Sequence, residues 1–200
     1  MREYEFTLKC RLPKQETDPE MYLAALAASD CDDALVGVGL NGRIALDFAR
    51  IAPSAIEAVS SALENVHDAI PGATLIEATP DYVGLTDIAE LLGLSRQYMR
   101  KLVERAGNEF PEPVHEGKPT LWHLTEVLDW FELKENREID PAMFEVSRLN
   151  MQLNLFKAFA KASAFRQDGF RFRAEAPSKS LQRMFELSRI GRRQHDRGRQ

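Results

Sequence analysis

The chain has 200 residues, 44% of them hydrophobic and 28% charged, with a formal net charge of −5. No apolar run approaches the ~20 residues of a membrane helix, residues 1–14 hold no apolar signal core, and two cysteines are too few for a disulfide framework. These features lead us to expect a cytoplasmic protein with no membrane partner, in which Cys10 and Cys31 are reduced thiols.

The charge is unevenly spread. Residues 166–200 carry ten basic and four acidic side chains, so a +6 tail follows a −11 body. A basic tail on an acidic body either meets a polyanion or an acidic partner, or is a solvated end.

In chain order, Tyr4 to Cys10 alternates apolar and polar residues and reads as a strand. Arg11-Leu12-Pro13-Lys14, which follows, has no glycine and makes no phosphate cradle. Thr17 or Asp18 can cap a helix with Pro19 in its first turn, and Met21, Tyr22, Leu23, Leu26 and Ala27 supply its spacing. The carboxylates Asp30, Asp32 and Asp33 sit at the following turn, where acidic residues are normally solvated.

Gly37, Gly39 and Gly42 have the spacing of a dinucleotide-binding fingerprint, which requires a helix immediately after it. Here Ile44, Leu46 and Phe48 alternate, so a strand follows. Asn41-Gly42 then reads as a two-residue hairpin turn, with Gly39 facing Ile44, Gly37 facing Leu46 and Leu35 facing Phe48. Pro53-Ser54 opens a second helix through Ile56, Val59, Leu63, Val66 and Ile70, which Pro71-Gly72 stops. Ala73 to Ala78 is a short strand. The order β-α-β-β-α-β over residues 1–80 is that of a ferredoxin-like domain, a fold that by itself argues for no single function.

Residues 85–105, LTDIAELLGLSRQYMRKLVER, meet the demands of a helix-turn-helix. Ala89 is the small residue where two helices cross, and Gly93 forms the turn. Ile88, Leu92, Leu94, Met99 and Leu102 fill the shared core, and Ser95 caps the second helix. The remaining face of that helix carries Ser95, Arg96, Gln97, Tyr98, Arg100 and Lys101. Phe110 to Val114, a polar turn and Gly117 to Trp122 follow as two extended stretches, like a wing. Leu124, Val127, Leu128 and Phe131 close the unit as an amphipathic helix.

The run from 83 to 132 resembles the phage excisionase and AlpA-type regulators, relatives of the MerR winged helices. The "LGLSRQYM" turn, the "FPEPV" segment and the "TEVLDWF" ending carry the resemblance. It implies a winged helix-turn-helix with its second helix in the major groove of double-stranded DNA and its wing, with Lys118 and Thr120, near the backbone. Arg96, Gln97 and Arg100 would then face bases, with Ser95 and Lys101 nearer phosphates. The wing departs from the family in being poor in cations: His115, Lys118 and His123 are its only basic side chains.

Asp140-Pro141 caps a helix in which Ala142, Val146, Leu149, Leu153, Phe156, Ala160 and Ser163 repeat at four and three residues. Met151, Leu155 and Phe159 add a second stripe, which leads us to expect a homodimer; packing on the parent body is the alternative. Leu181, Met184, Phe185 and Leu187 mark a short helix in the tail. Arg192 and Arg193 lie in an arm able to supply the phosphate contacts that the wing lacks.

The expected architecture is therefore α+β. It comprises a ferredoxin-like domain (1–80) that senses a small ligand or a protein partner, a winged helix-turn-helix (81–135), a dimerising helix (136–165) and a basic tail (166–200). The expected function is a dimeric DNA-binding repressor or autoregulator of a prophage or toxin–antitoxin type operon. The alternative is a protein-binding module whose helix-turn-helix contacts protein. His67, His115, His123 and His195 lack metal-ligand spacing, and no nucleophile–base set appears, so no metal, cofactor or catalytic residue is expected.

Overall fold

The structure is a computed structural model describing residues 1–163 and 178–189. Strand β1 runs Arg2–Arg11 and buries Tyr4, Phe6, Leu8 and Cys10 while its odd-numbered residues stay largely exposed. Strand β3, Arg43–Ala52, lies antiparallel beside it and buries Ile44, Leu46 and Phe48 on the same side. Phe6 faces Phe48 and the rings stack at 5.2 Å.

With β2 (Ala34–Gly37) and β4 (Thr74–Thr79) the sheet is fully antiparallel, in the order β2-β3-β1-β4. Its buried face packs on α2 (Ala55–Ala69), α6 (Pro141–Ser163) and α7 (Lys179–Arg189). The Ser54 hydroxyl accepts the Glu57 N–H and caps α2.

Several expectations needed correction. The β2–β3 connection is not a two-residue hairpin. Gly37 pairs with Ala45, Leu35 with Asp47 and Ala34 with Phe48, one residue away from the expected register, and residues 38–42 form a longer loop. A type I′ turn needs positive φ at both central residues, whereas here only Gly42 is positive, at 77°. Tertiary contacts hold that loop: the Gly42 N–H donates to the Thr17 carbonyl at 2.8 Å, and Leu12 N–H donates to Gly42 at 3.0 Å.

The expected first helix is a 3-10 turn, Pro19–Tyr22, running into a short α1, Leu23–Ala27. Its Leu26 is buried but Met21 and Leu23 are exposed, and in α2 Ile56 likewise faces solvent.

The second core is drawn from residues 83–144. It is built from α3 (Leu85–Leu91), α4 (Arg96–Ala106) and α5 (Leu124–Lys134). A two-stranded ribbon joins them, β5 (Tyr82–Val83) paired antiparallel with β6 (Trp122–His123). Phe110 meets Trp122 and Trp130 edge-on at 5.8 and 5.1 Å, and the Trp122 indole donates to the Pro111 carbonyl at 3.0 Å.

Helix α6 serves both cores. Ala142, Val146, Leu149 and Leu153 bury against the sheet and α2, while Met143 and Phe144 pack on the second core. A polar row on the same helix holds the outer edge of β4. Asn150 donates to the Pro80 carbonyl, Lys157 to that of Ile76, and Asn154 donates to the Ala78 carbonyl and accepts its N–H. The Asn154 amide thus fills the place of a further strand at this edge.

Candidate nucleic-acid interface

The turn between α3 and α4 closes as its side chains require. Ala89 is buried at the crossing, and Gly93 takes φ 62°, a left-handed conformation that costs other residues energy. The Gly93 N–H donates to the Glu90 carbonyl at 3.1 Å and the Leu94 N–H to that of Ala89 at 2.7 Å. Arg137 reaches back from the end of α5 to donate to the Leu92 carbonyl, tying the turn to the rest of the unit. Ile88, Leu92, Met99 and Leu102 are buried, with Leu94 partly so.

What remains of α4 faces solvent. Ser95, Arg96, Gln97, Tyr98, Arg100 and Lys101 are all exposed. The Ser95 hydroxyl oxygen accepts the Tyr98 N–H at 3.1 Å, which leaves its own proton free to donate outward. Arg100 pairs with Glu104 at 2.9 Å, both side chains well exposed, an i,i+4 contact worth about 0.3–0.5 kcal/mol and easily exchanged for a stronger acceptor. Among the described residues no acidic side chain lies within salt-bridge distance of Arg96, Lys101 or Lys118.

The segment expected as a wing is a short loop pinned by the His115–Leu121 bridge. Lys118 is exposed at its tip, and the half-buried Thr120 donates its hydroxyl to the Gly117 carbonyl at 3.0 Å. The His115 ring lies against Gly117 so closely that a Cβ there would collide with it.

His123 does not point out from the wing. It is buried, and its Nδ1 lies 2.6 Å from Asp81, a carboxylate with no exposed surface. The second Asp81 oxygen accepts from Asn154 at 2.8 Å, and the Asp81 carbonyl accepts the Leu124 N–H at 2.7 Å. This network joins α6 to the exit from β4 and the start of α5, so it fixes how the second core sits on the sheet. Sequence reasoning missed it because Asp81 and His123 are 42 residues apart. The available signal was the row Asn150, Asn154 and Lys157, polar at i, i+4 and i+7 directly beside the buried apolar row Val146, Leu149 and Leu153.

Other candidates resolve structurally. Asp33 takes the Arg50 guanidinium at 2.6 and 2.8 Å, and Arg50 also reaches Ser61, Asn65 and the Asp30 carbonyl. Among the described residues no group of three or more His, Cys, Asp or Glu side chains is placed to hold a metal ion. Burial pushes the Cys10 thiol up to about 12 and that of Cys31 to about 11. Arg192 and Arg193 lie outside the described residues.

A scan against protein-family models finds no match for this chain, and neither do searches of curated proteins and of solved structures. Among the described residues no helix is long and apolar enough to cross a membrane.

Proposed function

We propose that this chain is a sequence-specific DNA-binding regulator, a cytoplasmic repressor or autoregulator of the prophage or toxin–antitoxin kind, with α4 as its reading helix. The observation that carries the reading is the exposure of Ser95, Arg96, Gln97, Tyr98, Arg100 and Lys101 on a helix whose opposite side is anchored by Met99 and Leu102. Arginine and glutamine offer the paired donors and acceptors that read guanine and adenine edges. The free N-terminal amides of α4 and the Ser95 hydroxyl suit a phosphate. Lys118 and Thr120 on the wing, and Arg192 and Arg193 in the arm, take the backbone.

In the same reading residues 1–80 form a ferredoxin-like domain, supported by the all-antiparallel order β4-β1-β3-β2, and serve to sense a ligand or a partner. The half-exposed Leu155 and Phe159 on α6, each 42% accessible, support a homodimer. Such a dimer would read half-sites about one or two helical turns apart, and a monomer in sedimentation at micromolar concentration would remove that element.

The test is gel retardation of the DNA upstream of the chain's own gene. Arg96→Ala with Arg100→Ala is expected to abolish the shift. Undiminished retardation by that variant would transfer the function elsewhere, to the alternative in which the helix-turn-helix contacts protein.

A further inference from the structure

The sheet face opposite the helices is uncovered along β1 and β3, and the helix-turn-helix stands beside it. Between them lies a groove of about 1100 Å³. Its walls carry Glu3, Glu5 and Asp47 from the sheet, Asp87 and Glu90 from α3, and Asp140 from the residue before α6. Among the described residues, none of these six has a cationic side chain within salt-bridge distance. Lys9, the cation that lines the groove, is already bound to Glu77 at 2.9 Å. Carboxylates gathered in this way repel one another and attract a partner with several positive charges at once.

The chain carries such a segment. Residues 190–200, IGRRQHDRGRQ, hold four arginines and one aspartate. They begin where α7 ends, at Arg189, on the helical side of the same sheet. Eleven residues reach about 37 Å when extended. Packed layers are about 10 Å apart and four strands span about 15 Å, so the groove is within reach. The tether also gives the segment an effective concentration of about a millimolar, well above that of a free competitor at micromolar concentration.

We propose that residues 190–200 dock in this groove of the same molecule, with Arg192, Arg193, Arg197 and Arg199 against the carboxylates. The docking stands independently of the DNA reading. If both hold, groove and duplex compete for the same arginines, and the sheet domain restrains the arm until DNA displaces it.

The test uses the full chain with Gln200→Cys carrying a nitroxide. Cys10 and Cys31 are 2% and 3% exposed, so the label goes to position 200. In about 20 mM salt the amide signals of Glu5, Thr7, Asp47 and Asp87 are expected to lose more than half their intensity, and to recover in about 0.5 M salt, where the screening length falls to a few ångströms. The loss should persist on dilution, and it should vanish at low salt in the Glu3→Gln, Glu5→Gln, Glu90→Gln variant. Unperturbed signals at low salt would overturn the proposal. So would broadening that survives the triple substitution, or that disappears on dilution, which would assign the arm to a second copy. No DNA is present, so the outcome is independent of the retardation test.

Discussion

Asn154→Leu removes the amide that holds α6 to the edge of β4 and keeps its branching, but its two methyls are bulkier than the amide they replace, so the hydrogen-bond cost is a lower bound on the loss. Three bonds are lost: two to the Ala78 backbone at 2.7 and 3.0 Å and one to the Asp81 carboxylate at 2.8 Å. Ala78 and Asp81 have no exposed surface, so water does not replace the missing partner. Two neutral backbone groups at about 1 kcal/mol each and one carboxylate at about 2 kcal/mol give a loss of about 4 kcal/mol. That is a large share of the 5–15 kcal/mol that holds a domain folded. Urea unfolding of the full chain, followed by two probes to establish a single transition, measures it. A loss under about 1 kcal/mol would refute the reasoning, because it would mean that the orphaned groups find other partners. Since His123 also holds Asp81, Asn154→Leu and His123→Phe together should depart from the sum of their separate costs by 0.5 kcal/mol or more.

Gly93→Ala places a Cβ in open space but at φ 62°, so it should cost about 1–2 kcal/mol through backbone strain; an unchanged unfolding midpoint would contradict the turn geometry. Ser95→Ala should cost about 1 kcal/mol by loss of the α4 cap, seen in the same assay. For Cys10 the sign follows from a thiol raised in the folded state from 9.0 to about 12. The unfolded thiol ionises above pH 9 while the folded one stays protonated. Its contribution is therefore intact below pH 9 and falls by about 1.4 kcal/mol per pH unit above it. Wild type should lose stability between pH 9 and 11 more steeply than Cys10→Ala; parallel curves would refute this.

Local chemistry made much of the fold legible in the sequence. The alternation in β1 and β3 follows from burial of one sheet face, and Asp18, Ser54 and Ser95 accept cap hydrogen bonds where hydroxyl or carboxylate residues precede helical spacing. The α3–turn–α4 segment was legible because its demands are short-range, a small residue, a glycine and a cap within seven positions. The β2–β3 register was not, since Asn41-Gly42 has the chemistry of a tight turn while Thr17 and Leu12 hold Gly42 in a longer loop. His123 reads as a wing cation until Asp81 is folded onto it. The acidic groove was hidden for the same reason, as Glu3, Asp47, Glu90 and Asp140 converge from four separate parts of the chain.

The most direct measurement is an amide chemical-shift map of the full chain titrated with a duplex from upstream of its own gene. The account predicts that the largest shifts fall on Ser95 to Lys101 and on Lys118 and Thr120, with the interior of the sheet domain largely unmoved. Binding that shifts other surfaces while residues 95–101 stay still, or no binding at low salt, would contradict it.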